Sequence, residues 1–270
     1  MAYTGSVADG SIRSIDLRTG AVKQFAPSPG PRRLAMGMEV DRFGRLWVAG
    51  SGSAFGVGAE AGFRVYDTKS GALLADVTVP GTYLNDVTLT RDAAWLTDSL
   101  NPNLIRVPIA ADGKISSPEK VALGGDWVNN SATFNANGIV PTPDGRHLIV
   151  AQTATVEGGP ALYLVPTRTA GVAEARRITV RGTLVTADGL QLVGRNLYVI
   201  HSQGVHKVEL SRSLTTGQVL GTTKVPGAAW PSTGKTFGGR LYVVDANFGE
   251  NFSNIGNSAA EFKVVAIPLP

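Results

Sequence analysis

The chain has 270 residues, 43% hydrophobic and 17% charged, with a formal net charge of +4. This is the composition of a folded globular protein rather than a disordered polyelectrolyte, and no stretch approaches the ~20 apolar residues of a membrane-spanning helix. The basic residues are scattered, Arg32-Arg33 and Arg176-Arg177 being the densest, so a nucleic-acid partner is excluded as an expectation; with no cysteine, disulfides, thiolate metal sites and a cysteine nucleophile are excluded too.

The 33 glycines and 15 prolines are spread evenly, which predicts many turns and few long helices. A short apolar segment ending in a small or polar residue recurs six times, with first residues Tyr3, Trp47, Trp95, Ile149, Tyr198 and Tyr242, spaced 44, 48, 54, 49 and 44 apart. Before it stands a segment closed by a tight turn: 38–46, 86–94, 138–148, 189–197 and 233–241. The pairs Phe43-Gly44, Asp144-Gly145 and Gly238-Gly239 suit hairpin turns because they tolerate positive φ. After it comes an alternating strand at 11–16, 63–67, 103–108, 161–166, 205–209 and 262–266, and in most units a fourth, as at 72–79 and 175–180.

Four short strands repeated at this spacing predict an all-β chain, a six-bladed β-propeller of four-stranded antiparallel blades forming a single domain. The units lie near 3–27, 36–79, 84–123, 137–180, 187–225 and 230–270. The first unit begins at its second strand and the last stops at its third, so both end blades are expected to be incomplete. No secretory leader follows Met1. The chain is therefore expected either to be cytoplasmic or to have lost a leader.

In a propeller the first strand of each blade lines the central channel. The first residues of those strands are Gly37, Asn85, Asn137, Asp188 and Ser232-Thr233, so three consecutive blades aim an Asn, an Asn and an Asp at one axis. Hard oxygen donors converging there suit Ca²⁺ or a similar divalent cation, although Asn-Asp, Asn-Gly and Asp-Gly are also ordinary turn pairs. The second strands return Asp98, Gln152, His201 and Asp245 to the same mouth, Asp98 as a substrate contact and His201 as a proton shuttle or substrate contact. His147 and His206 read as surface residues. Insertions at 50–62, 124–134 and 248–261 are expected to build a rim with apolar walls from Trp127, Phe134, Trp230 and Phe252.

The segments Leu84-Asn85-Asp86-Val87, Asn137-Gly138 with Pro141-Thr142-Pro143-Asp144-Gly145, and Asp188-Gly189-Leu190 resemble the senescence-marker-protein, gluconolactonase and luciferin-regenerating-enzyme family. The resemblance covers roughly residues 36–250. It implies a six-bladed propeller with one divalent metal, Asn137 and Asp188 as metal ligands, Asp188 as base, and Asn85 facing metal or substrate. The family's remaining ligand, a glutamate at the start of blade 1, has no counterpart here. The implied function is metal-dependent hydrolysis of a lactone or ester. The alternatives are a non-catalytic ligand- or protein-binding propeller, and a metal-independent strictosidine-synthase-like enzyme using Asp245 or His201 for acid–base work. Last blades like this one's Leu241-Tyr-Val-Val-Asp245 often belong to exported members, which tilts the expectation to a secreted or periplasmic protein acting on a small molecule.

Other motifs fail. Gly234-Lys235-Thr236 lacks the upstream glycine of a phosphate loop, since position 229 is Ala, and no Gly-x-Ser-x-Gly elbow exists. Asn129-Asn130-Ser131 and Asn251-Phe252-Ser253 match the glycosylation sequon, a pattern short enough to arise by chance.

Overall fold

The computed structural model describes all residues except 32, 53–60, 81, 170 and 258. The insertion expected at 50–62 falls largely outside the described residues, as does Arg32. The chain divides into two compact units, Met1–Lys120 and Val121–Pro270.

The first unit contains three antiparallel meanders. The first is β1 (Ala2–Gly5), β2 (Ile12–Ile15) and β3 (Val22–Ala26). The second is β4 (Met38–Val40), β5 (Arg45–Gly50), β6 (Gly62–Asp67) and β7 (Leu73–Thr78), and the third is β8 (Leu84–Leu89), β9 (Ala93–Asp98) and β10 (Asn103–Pro108). From β11 (Glu119–Gly125) the chain enters the second unit. There the meanders are β12 (Ala136–Pro141), β13 (His147–Gln152), β14 (Ala161–Pro166) and β15 (Val172–Arg177), then, after the short β16 (Thr179–Arg181), β17 (Gly189–Val193), β18 (Asn196–His201), β19 (Gly204–Leu210) and β20 (Thr216–Thr223). The last is β21 (Pro231–Phe237), β22 (Arg240–Asp245) and β23 (Lys263–Pro268). The first and last sheets each have three strands.

Local chemistry explains the turns. Asp16 accepts the Arg18 amide at 2.8 Å and Asp67 the Ser70 amide at 2.7 Å, so each carboxylate closes its own turn, and Gly20 and Gly71 follow with φ of 75° and 74°. Each core lies between consecutive sheets of one unit. Trp47, Phe63, Leu84, Leu96 and Ile105 fill the space between the second and third meanders, with the Trp47 and Phe63 rings stacked at 5.5 Å. Ile149, Leu162, Leu190, Leu197 and Val199 do the same between the fourth and fifth, and Tyr198, Ile200, Leu241 and Val243 between the fifth and sixth. A middle strand is therefore buried on both faces, and no single meander could bury its apolar surface alone.

Two features depart from the all-antiparallel expectation. The outer strands β11 and β15 pair parallel over Ala122–Gly125 and Val172–Ala175, and β16 pairs parallel with β20. The segment expected as one strand at 175–180 is broken at Ile178, which is 3% exposed in the core while its amide bonds the Leu162 carbonyl; the chain leaves one sheet there and joins the next.

Candidate functional site

The predicted first residues of the inner strands share one structural register. In the third meander Leu84 pairs with Asp98 but Val87 with Leu96, so β8 holds one extra residue at Asn85-Asp86. The same β-bulge occurs at Asn137-Gly138 between the pairs Ala136–Gln152 and Ile139–Val150, and at Ser232-Thr233 between Pro231–Asp245 and Gly234–Val243. In the fifth, the Asp188 amide bonds the Ile200 carbonyl just before β17. A bulge bends the strand and re-aims one side chain. Asn85 and Asn137 at their bulges, and Asp188 just ahead of its strand, are each half-buried between buried neighbours.

In the second unit, β12, β17 and β21 pass so closely that only glycine fits between them. A Cβ on Gly138 would stand 2.6 Å from the Asp188 carbonyl oxygen, and one on Gly189 would stand 2.7 Å from the Thr233 Cα. This close passage sets Asn137 and Asp188 on neighbouring strands. The Asn137 Oδ1 is buried and makes no hydrogen bond among the described residues, an acceptor left open at the place where the resemblance puts a metal ligand. A neutral amide oxygen beside one carboxylate has the hard-donor chemistry that calcium requires. Among the described residues no three His, Asp or Glu side chains form a metal-holding group, and Asp188 is the one anionic ligand that the resemblance supplies. Asn85 belongs to the first unit, where its Nδ2 donates to Ser99 Oγ at 3.1 Å.

The residues ending the second strands have structural duties. Asp98 is fully buried; its carboxylate accepts the amides of Tyr83, Leu100 and Asn101 and the side-chain amides of Asn101 and Asn103. No face is open to the substrate contact expected of it. Asp245, 1% exposed, accepts the amides of Ala229 and Asn247 at 3.0 and 3.1 Å and of Trp230 at 2.7 Å. It clamps the segment leading into β21 and cannot serve as an exposed acid or base. Asp245→Asn should therefore cost about 2 kcal/mol, read from the urea midpoint, because two or more buried N–H groups lose a charged acceptor; an unchanged midpoint would refute the structural role. Gln152 plays the same part, donating to the Val128 carbonyl and to Asn135 Oδ1 while accepting the Tyr163 hydroxyl. Asn135, wholly buried and absent from the sequence expectations, is the hub that folds 126–134 over the end of the sheet; its one sequence signal is that, like Tyr83 and Trp230, it immediately precedes an inner strand.

His201 is 4% exposed, its Nδ1 accepting the Gln203 amide and its Nε2 buried with no partner among the described residues. Burial, reinforced by the neighbouring His206, pushes it down to about 4, so the ring is neutral near pH 7 and shielded from the proton-shuttle role. The two rings meet edge to face at 4.5 Å. His206, expected at the surface, is 8% exposed, because β19 is a middle strand covered on both faces.

Trp127 is buried, tilted against Tyr163 with ring centroids 4.8 Å apart, so it packs the sheet rather than walling a pocket. Trp230 is half-exposed and joins Phe248 and Phe252 in an aromatic cluster with centroids 5.6–5.8 Å apart, next to the segment clamped by Asp245. Asn247, Asn251 and Phe252 there hold φ of 37°, 50° and 60°, a strained backbone for side-chain-bearing residues.

No family model matches the chain, and no curated protein sequence matches it. Solved structures do. One is a chain of the nidogen/laminin complex, at 14% identity and a TM-score of 0.62, covering 90% of this chain and 84% of that one. Another is a gluconolactonase from Xanthomonas campestris, at 19% identity and 0.61, covering 88% and 76%. A third is the β-propeller domain of Cps50 (Swd1) from Myceliophteria thermophila, at 14% and 0.59, covering 91% and 76%. Proteins that resemble the chain thus range from a lactonase to the nidogen/laminin complex, and what the likeness establishes is the fold, an all-β propeller.

Proposed function

We propose that the chain is a lactone- or ester-hydrolysing propeller whose site is built on Asn137 and Asp188. The observation that carries this reading is the open, buried Oδ1 of Asn137 on the strand beside Asp188, at the bulge register that recurs in other blades. The likeness to a gluconolactonase supports the same chemistry. Asp188 is the base: its carboxylate takes a proton from the attacking water as the new C–O bond forms, and returns it to the alkoxide when the ring ester bond breaks. Asn137 holds its oxygen preset and unspent. Calcium, when bound by these oxygens, supplies polarisation of the substrate carbonyl and a more acidic water. Trp230, Phe248 and Phe252 offer an apolar wall for the substrate. The metal-free acid–base reading loses support because Asp245 is spent on backbone amides and His201 is buried and neutral.

With one carboxylate the expected calcium affinity is weak, on the order of 0.1–1 mM. Calorimetry on chelator-treated protein should show calcium binding that Asp188→Ala abolishes and Asn137→Ala weakens, and a panel of δ- and γ-lactones should then be turned over in a calcium-dependent way. Absence of both binding and turnover would overturn the reading in favour of a non-catalytic binding propeller, the alternative that the single anion favours.

A further inference from the structure

The Asp245 clamp holds three rings at the end of the second unit's last sheet. Trp230, Phe248 and Phe252 meet edge to face or tilted, with centroids 5.6–5.8 Å apart, so they pack on one another and form a continuous apolar surface rather than a cage around a gap. Phe252 is 41% exposed and the other two are partly exposed, an arrangement that leaves contiguous aromatic surface in water. The loop holds it there with three side-chain-bearing residues at positive φ and with its own amides: Asn254 donates to the Asn247 carbonyl at 2.9 Å, and Asn247 Nδ2 donates to the Glu261 carbonyl at 2.8 Å.

These rings stand at the end of the strands where Asn137 and Asp188 lie. Gly138 packs against the Asp188 carbonyl and the Leu190 nitrogen, and Gly189 against Thr233, which sets residues 137, 188 and 232 at one level of three neighbouring strands. Trp230 precedes Ser232 by two residues, so at 3.3 Å per residue its backbone lies about 7 Å beyond that level, on the entry side. A lactone ring held between Asn137 and Asp188 does not span that gap, whereas a side chain of several carbons on the ring does.

We propose that the lactone this chain takes carries an apolar alkyl side chain, seated on Trp230, Phe248 and Phe252 while the ring lies at Asn137 and Asp188, an inference that rests on the hydrolase reading. A sugar lactone would turn hydroxyls toward a surface whose neighbouring amides, Asn247 and Asn254, are committed to the loop. Each methylene removed from water strengthens binding by about fourfold, so two or three seated on the rings are worth more than tenfold.

Trp47, Trp95 and Trp127 are buried, so Trp230 is the tryptophan that an aqueous quencher reaches. In the chelator-treated whole chain, δ-dodecalactone, with its heptyl side chain, should shield the fluorescence from acrylamide saturably and δ-gluconolactone should not. With calcium present, KM should be at least tenfold lower for δ-dodecalactone than for the unsubstituted δ-valerolactone, and Trp230→Ala should erase most of that difference. If that variant does not fold, Phe252→Ala, at an exposed side chain, should still reduce the difference severalfold. Turnover of both lactones with equal KM, or equal shielding by δ-gluconolactone, would overturn the proposal and leave the hydrolase reading standing. Shielding by δ-dodecalactone without turnover of any lactone would support the seat and overturn the hydrolase reading instead, and the absence of both shielding and turnover would overturn both.

Discussion

Gly189→Ala is expected to destabilise the chain by roughly 3–5 kcal/mol, with Gly138→Ala close behind. Neither glycine has a positive φ, so the backbone conformation itself admits alanine and the cost is steric. The new methyl at 189 would meet Thr233 at its Oγ1, Cα and Cβ, at 2.5, 2.7 and 2.8 Å, and the one at 138 would meet the Asp188 oxygen and the Leu190 nitrogen at 2.6 and 3.0 Å. Backbone atoms cannot rotate aside, so β12, β17 and β21 must move apart, breaking the packing on both sides. Gly145→Ala is the control. Its φ is 65° but nothing lies within 4 Å, so only the left-handed backbone penalty of about 1–2 kcal/mol applies. Urea unfolding of the three variants should separate them in that order, and a Gly189→Ala midpoint equal to that of Gly145→Ala would refute the close passage of these strands. The substitutions should also disturb calcium binding, because the strands that would part carry Asn137 and Asp188.

The repeat and the register of Asn85, Asn137 and Asp188 were readable from sequence because both are local. An inner strand needs a short polar pair at its bulge, an apolar run after its turn, and a fixed distance to the next copy. The duties of Asp98 and Asp245 were not readable. An aspartate at a strand end has the same letters around it whether it meets solvent or backbone amides, and the amides of Tyr83 and Ala229 that decide the matter come from 15 and 16 residues away. His206 misled for a related reason. Alternation identifies the two faces of a strand, but in a middle strand of stacked sheets both faces are covered, so the polar face is buried too. The parallel outer pairs depend on contacts between successive meanders, which no single unit encodes. Arg64 is the clearest case: Phe63-Arg64-Val65-Tyr66 reads as an ordinary alternating strand, and only the assembled sheets reveal that its charged face is enclosed.

Lowering the pH from 7 to 4.5 should destabilise the chain by about 2–3 kcal/mol through His201 alone. Its folded value of about 4 lies well below the ordinary 6.5, and each unit of that difference is worth about 1.4 kcal/mol. Above pH 6.5 the ring is neutral whether folded or unfolded and contributes no pH dependence. Below 6.5 the unfolded chain takes up a proton that the native chain refuses, so stability falls with pH until about 4, where the native ring titrates as well and the slope ends. His206, also pushed down by burial, adds to the loss in the same direction. The carboxylates of Asp16, Asp41 and Asp67, held below their ordinary range by hydrogen bonds, withdraw their contribution only at lower pH, so the two windows are separable. Denaturant unfolding at half-unit steps from pH 7.5 to 4.5 measures the slope, and His201→Gln, which keeps a polar side chain but cannot titrate, should flatten most of it. A wild-type stability that stays level across this range would mean that the His201–His206 pair reaches solvent, and would return His201 to the candidates for proton transfer beside Asp188.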